Sequence, residues 1–135
     1  MALISWTNEY AVNISIIDNQ HKTLIALINI LHDKMKQGKG KLILDVVLTE
    51  LTEYTIYHFS TEEELFRKYN YQETKAHLIE HNKLLEEVTK IKNNFDSGNT
   101  VITLELMNFL KNWLENHILK SDKKYSSFLK SKGVE

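Results

Sequence analysis

The sequence contains no cysteine. That absence removes disulfides, thiol redox chemistry and Cys-based zinc or iron–sulfur sites from consideration. Proline is also absent, and only four glycines occur in 135 residues. Both residue types interrupt helices, so their scarcity favours long, unbroken ones. No run of about 18 apolar residues exists, so no segment is expected to insert in a membrane. The start, Met-Ala-Leu-Ile-Ser-Trp, has neither a basic stretch nor a long apolar one, so no signal peptide is expected. An excess of charge is missing too: 17 Lys and Arg stand against 18 Asp and Glu. That balance gives no electrostatic reason to expect nucleic acid or an anionic membrane as partner. The expectation is a single cytoplasmic domain over 1–135, long enough to bury a core without covalent staples.

What is present reads as helix. Residues 1–17 carry Trp6, Tyr10, Val12, Ile14, Ile16 and Ile17 without helical period, and are expected to form an extended arm on the body of the domain. Asp18 is placed as an N-cap, starting a first helix that runs to about Gln37. Its inward face is His21, Leu24, Ile28, Leu31 and Met35, spaced as a bundle seam, and Gly38-Lys39-Gly40 ends it. A second helix, about Leu42 to Tyr69, presents Leu44, Val47, Leu51, Tyr54, His58, Glu62 and Leu65. After a short turn at Asn70-Tyr71, a third helix from about Glu73 to Phe95 faces inward with His77, His81, Leu84, Val88, Ile91 and Phe95. Ser97-Gly98-Asn99 separates it from a fourth, Thr100 to about Lys120, along Leu106, Leu110, Trp113 and His117. A short C-terminal fifth helix would hold Tyr125, Phe128 and Leu129. The fold class is therefore all-α, an up-down-up-down four-helix bundle.

That topology places the histidines. His21 lies seventeen residues before Gly38 and His58 eighteen after Gly40; His81 lies seventeen before Gly98 and His117 nineteen after it. Each is roughly 25–29 Å from its loop at 1.5 Å per residue, so all four helices bring a histidine to one level. His58 and Glu62, like His77 and His81, are four apart and share a helix face. His32 lies about 16 Å along the first helix from His21 and is assigned no role. Glu62 is followed by Glu63 and Glu64, an acidic run read as solvated except for Glu62 on the inward stripe. His117 and Asp122 are five apart, which an α-helix turns about 140° away from each other. The helix must end or bulge there, and Ser121-Asp122 is read as the cap of a new short helix.

Five imidazoles and two carboxylates in a bundle core are costly to bury without a cation between them. They exceed one tetrahedral zinc, and imidazole with carboxylate suits iron, manganese or zinc rather than calcium or magnesium. Two metal ions bridged by Glu62 and Asp122 use all seven side chains. Counting a bridging solvent oxygen, one coordination position stays open, which suits a small diatomic ligand.

The set His21, His58-x-x-x-Glu62, His77-x-x-x-His81 and His117-x-x-x-x-Asp122 closely resembles the hemerythrin family in its single-domain bacterial form. Trp6, Ile17-Asp18-x-Gln20-His21-Lys22, His58-Phe59-x-x-Glu62-Glu63 and Trp113-Leu114-x-x-His117-Ile118 carry the same resemblance, which covers nearly the whole chain. The departures, Gln72 in place of a frequent proline and Leu84 in place of a common aromatic, touch no expected ligand. The resemblance implies a non-haem di-iron centre that binds dioxygen reversibly, for carriage, storage, delivery or scavenging, and is not an enzyme. It implies His77, His81 and His117 on one iron, His21 and His58 on the other, and Glu62, Asp122 and a solvent-derived oxygen as bridges. Leu24 lies one turn after His21, Phe59 follows His58, Trp113 and Leu114 precede His117, and Ile118 follows it. These five are expected to wall the open position with apolar surface. Two other classes compete: a di-iron oxidase, peroxidase or scavenger of nitric oxide or peroxide, and an oxygen- or redox-sensing module acting through a separate partner. The carboxylate-rich di-iron enzymes use Glu-x-x-His pairs, and this sequence has none.

Overall fold

The computed structural model describes residues 3–38, 41–96 and 104–135. Four helices make the bundle: α1 (Ser15–Lys36), α2 (Lys41–Tyr69), α3 (Thr74–Asp96) and α4 (Leu104–Asn116). Successive helices run antiparallel, α2 lies against both α1 and α3, and α1 also meets α4. A π-helical turn, His117–Asp122, continues α4 into a short α5, Lys123–Ser131. No strand occurs among the described residues. No described helix is long and apolar enough to cross a membrane. The expected loop residues Lys39, Gly40 and 97–99, and the expected first residues of the fourth helix, 100–103, lie outside the described residues.

The helix ends follow local chemistry. Gly38, at φ +68°, closes α1 by donating its N–H to Met35 O at 3.1 Å, in the left-handed conformation that glycine adopts without cost. Asn70 takes the left-handed conformation, φ +56°, at the end of α2, and Tyr71 N–H donates to Phe66 O at 3.0 Å in a Schellman closure. Asp18 is not the N-cap of α1, because the helix already begins at Ser15. Its carboxylate instead reaches back from the first turn and accepts from Val12 N at 2.8 Å and Asn13 N at 3.1 Å. It thereby ties arm to helix while its charge favours the helix N-terminus.

The arm lies along the bundle with one 3₁₀ turn, Asn8–Tyr10. Ile4 is buried, and its backbone is clamped by the Asn29 amide of α1, donating to Oδ1 at 2.9 Å and accepting from Nδ2 at 2.8 Å. Two apolar clusters fill the interior. The larger includes Leu24, Ile28, Leu31, Leu51, Val88, Met107 and Leu110. The smaller joins Val12, Ile14 and Ile17 to Phe66, Tyr71, Tyr125 and Leu129. On α1, His21 falls between Ile17 of one cluster and Leu24 of the other; on α2, His58 and Glu62 fall between Leu51 and Phe66. A polar layer is thus sealed between two apolar ones.

The bulge that the i+5 spacing demands is present, and the cap is not. Asp122 makes no capping hydrogen bond. The backbone stays helical, and the wider π turn accommodates the extra residue that α geometry would rotate away.

Asn29→Ala should cost about 1–3 kcal/mol, since it strands the buried N–H and C=O of Ile4. Urea denaturation measures the loss, and faster hydrogen exchange at the Ile4 amide would locate it in the arm.

Candidate metal centre

Each element delivers its share of one buried layer. His21 comes from α1, His58 and Glu62 from α2, His77 and His81 from α3, and His117 and Asp122 from the π turn. All seven are buried, with Glu62, Asp122, His21 and His81 wholly inaccessible. Their ligand atoms form two groups in which every pair lies within 4.8 Å: Glu62 with His77, His81 and His117, and His21 with His58, Glu62 and Asp122. His32 is buried but joins neither group.

The contacts inside the layer are short. Asp122 Oδ2 lies 3.0 Å from His21 Nε2, and its Oδ1 lies 3.2 and 3.1 Å from Nε2 of His77 and His117. Glu62 Oε1 lies 3.3 Å from His58 Nε2 and 3.1 Å from His81 Nε2. Yet all five Nε2 atoms, Glu62 Oε1 and both Asp122 oxygens lack a hydrogen bond with proper geometry. Groups aimed at one another would bond; these are aimed at points between them. Unpaired buried donors and acceptors are costly, and cations at those points would satisfy all of them, so the residues fit a metal.

Outer partners orient the rings. Gln20 Oε1 lies 2.6 Å from His58 Nδ1, while Gln20 Nε2 donates to Thr61 Oγ1 at 3.1 Å. Glu63 Oε2 lies 3.0 Å from His81 Nδ1. Glu80 Oε1 lies 3.6 Å from His117 Nδ1, and both Glu80 oxygens accept from Ser121 Oγ, at 2.8 and 2.7 Å. The buried Tyr125 hydroxyl donates to Glu62 Oε2. Rings are also fixed by stacking: Phe59 lies flat on His81, centroids 3.6 Å apart, and Trp113 on His117 at 4.5 Å.

Of the five residues expected to wall the site, Leu24, Phe59, Trp113 and Leu114 line one apolar cavity of about 30 Å³, joined by Ile28, Leu51 and Leu84 among others. Ile118 is buried in the same cluster without lining that cavity. On the α3 side a second small cavity, about 40 Å³, is bordered by Tyr71, Glu73, His77, Glu80, Ser121 and Lys124.

Charge in the metal-free layer is divided unevenly. Burial lowers the His58 pKa to about 4 despite Glu62 beside it. Burial also works against protonation of His77 and His117, but the adjoining Asp122 and Glu62 carboxylates outweigh it and raise them to about 9 and about 10. Burial pushes both Glu62 and Asp122 upward, and the facing imidazoles more than reverse this, holding both below the usual carboxylate range.

Sequence alone does not single out several of these residues. Glu63 sits in an acidic run that reads as solvated, yet it reaches His81, because a residue beside the inward stripe still borders the neighbouring helix. Glu80 and Gln20 adjoin histidines in the chain, a signal too common to be used alone. Tyr125 reads simply as core.

A bundle of four helices with a buried histidine–carboxylate layer is a metal-binding protein. The family model described as "Hemerythrin HHE cation binding domain" matches residues 12–129. Bacteriohemerythrin of Methylococcus capsulatus is 35% identical, over 96% of this chain and 98% of the relative. Bacteriohemerythrin of Pseudomonas aeruginosa is 38% identical, over 93% of this chain and 80% of the relative. A crystal structure of wild-type hemerythrin, 34% identical, superposes with a TM-score of 0.90 over 93% of this chain and 97% of that one. The chain belongs to the hemerythrin family.

The raised histidines give the metal-free protein a defined pH response. Folded values above the ordinary 6.5 mean that this stabilisation is complete below about pH 6.5 and is lost as pH rises through about 9 and then about 10. The urea midpoint of chelator-treated protein should therefore fall between pH 7 and pH 10, and fall less steeply in His117→Gln. A flat midpoint would contradict the charge assignment.

Proposed function

We propose that this protein binds dioxygen reversibly at a centre of two iron ions and is not an enzyme. The observation that carries the reading is the unequal division of one buried layer. Three imidazoles gather with Glu62, and two with Glu62 and Asp122. Asp122 Oδ1 also lies 3.2 and 3.1 Å from Nε2 of His77 and His117, so two ions sharing both carboxylates would leave the two-histidine side a donor short. His77, His81 and His117 would hold one ion and His21 and His58 the other, with Glu62, Asp122 and a solvent-derived oxygen shared between them. A ferrous pair, when bound, supplies the two electrons that dioxygen takes up.

The chain's own residues supply the rest. Gln20 and Glu63 set the tautomers of His58 and His81 so that Nε2 faces inward. Tyr125 holds one oxygen of Glu62 and so leaves the other for the layer. Leu24, Phe59, Trp113 and Leu114 keep water and outside protons from the open side, with Ile118 packed behind them. Dry surroundings favour release of the ligand as dioxygen over its loss as a reduced product. The similarity to two proteins named bacteriohemerythrin supports this reading. Cytoplasmic residence and the lack of a nucleic-acid partner belong to the same proposal, in keeping with the balanced charge.

Iron-loaded protein should contain about two irons per chain, the number that satisfies the seven side chains. An anaerobic oxygen titration followed optically should give a band that disappears on deoxygenation. Steady oxygen consumption with a reductant would instead identify an oxidase.

Leu24→Ala should keep its iron and still bind oxygen, but the oxygenated band should decay faster in air as water enters the widened cavity. Ile118→Ala, one layer back, should have the smaller effect. Equal and unchanged decay in both would reduce these side chains to core packing.

A further inference from the structure

The imidazole nitrogens that face away from the buried layer are not supported alike on its two sides. Behind the three-histidine group stand carboxylates. Glu63 Oε2 is hydrogen-bonded to His81 Nδ1 at 3.0 Å. Glu80 Oε1 lies 3.6 Å from His117 Nδ1, too far for a hydrogen bond, so it acts on that ring by charge alone, and Ser121 Oγ of the π turn grips both Glu80 oxygens. Behind the two-histidine group the support is neutral. His58 Nδ1 meets the Gln20 amide oxygen at 2.6 Å, and the buried His21 Nδ1 has no hydrogen-bond partner.

A carboxylate that accepts the outer imidazole N–H fixes the ring and makes the inner nitrogen a stronger base towards a metal; a neutral amide fixes the ring with less of that electronic effect. The carboxylates also add negative charge close to one ion and not the other. Water reaches both glutamates, with side-chain exposures of 34% and 44%, which weakens their charge without removing it. The difference in charge between the two sides therefore survives screening.

We propose that Glu63 and Glu80 act as positioning residues that make the three-histidine group the stronger cation site. The two ions then bind in order: first between His77, His81 and His117, and second beside His21 and His58. This rests on the two-ion reading above. Its consequence is that scarce metal leaves a half-loaded protein whose open side is empty, so occupancy of the His21–His58 side governs how much protein is competent to bind a ligand. Ser121 takes part through its grip on Glu80, which links the order of loading to the π turn.

Three imidazoles against two would give the same order with no help from outside, so the test changes charge at nearly constant shape. Metal-free protein is titrated anaerobically with Co²⁺, which needs no redox change, and followed by its visible spectrum and by calorimetry. Wild type should take two equivalents in two resolved steps. Glu63→Gln should weaken the first step by about 10- to 100-fold. Glu80→Gln, which removes a screened charge and no hydrogen bond, should weaken it by less, and both should leave the second step in place. Glu63→Asp should recover part of the loss, and Gln20→Glu should strengthen the second step. Urea midpoints of the metal-free variants show that each is folded. If the Gln variants leave the first step unmoved, or weaken both steps equally, the role given to the carboxylates is wrong while the two-ion reading stands. If wild type takes up fewer than two equivalents, the two-ion reading fails, and the loading order with it.

Discussion

The structure depends on keeping two carboxylates, Glu62 and Asp122, in a layer that water does not reach. Neither acid could stay ionised there alone, because burying an isolated carboxylate costs more than a bundle of this size has to spare. Five imidazoles surround them at 3.0 to 3.3 Å, and their Nε2 atoms lack hydrogen bonds of proper geometry. The layer is arranged for positive charge placed between its members rather than on them. Protonated His77 and His117 supply that charge in the metal-free chain; metal ions supply it better, because they satisfy every inward atom together.

That requirement accounts for the irregular part of the fold. A regular α4 would carry Asp122 away from His117, so the helix widens into a π turn over His117–Asp122. The same turn places Ser121 on Glu80 and sends α5 across the end of the bundle, where Tyr125 meets Glu62. A local departure from α geometry thus provides one inward carboxylate, orients a second and contributes to the apolar lid. Val12, Ile14 and Ile17 complete the lid from the other chain end, held by the grip of Asp18 on the arm.

The surroundings of the layer differ from side to side. Towards Leu24, Leu51 and Leu110 the wall is apolar and lines a cavity of about 30 Å³. Towards Glu73, Glu80, Ser121 and Lys124 it is polar. Phe59 and Trp113 belong to the apolar wall and also stack on His81 and His117. Exclusion of water and alignment of the rings are therefore done by the same side chains.

Much of this is legible in the sequence because helices translate spacing into direction. The absence of proline, the seam along His21, Leu24, Ile28 and Leu31, and similar distances from histidine to loop together specify a bundle with one polar level. The i+5 interval from His117 to Asp122 requires a break or bulge in the helix on geometry alone. Relations between helices, which no periodicity encodes, are decided only by the tertiary structure. Asp18 looks like a cap because capping is a local signal, but the helix begins three residues earlier and leaves its carboxylate to bind the arm. Glu63 looks solvated because its own helix turns it off the inward stripe; only the position of α3 brings His81 Nδ1 within its reach. The pairing of Gln20 with His58, of Glu80 with Ser121, and of Tyr125 with Glu62 spans 38, 41 and 63 residues of chain. Contacts of that range depend on how helices settle against one another, and packing, not sequence spacing, sets that geometry.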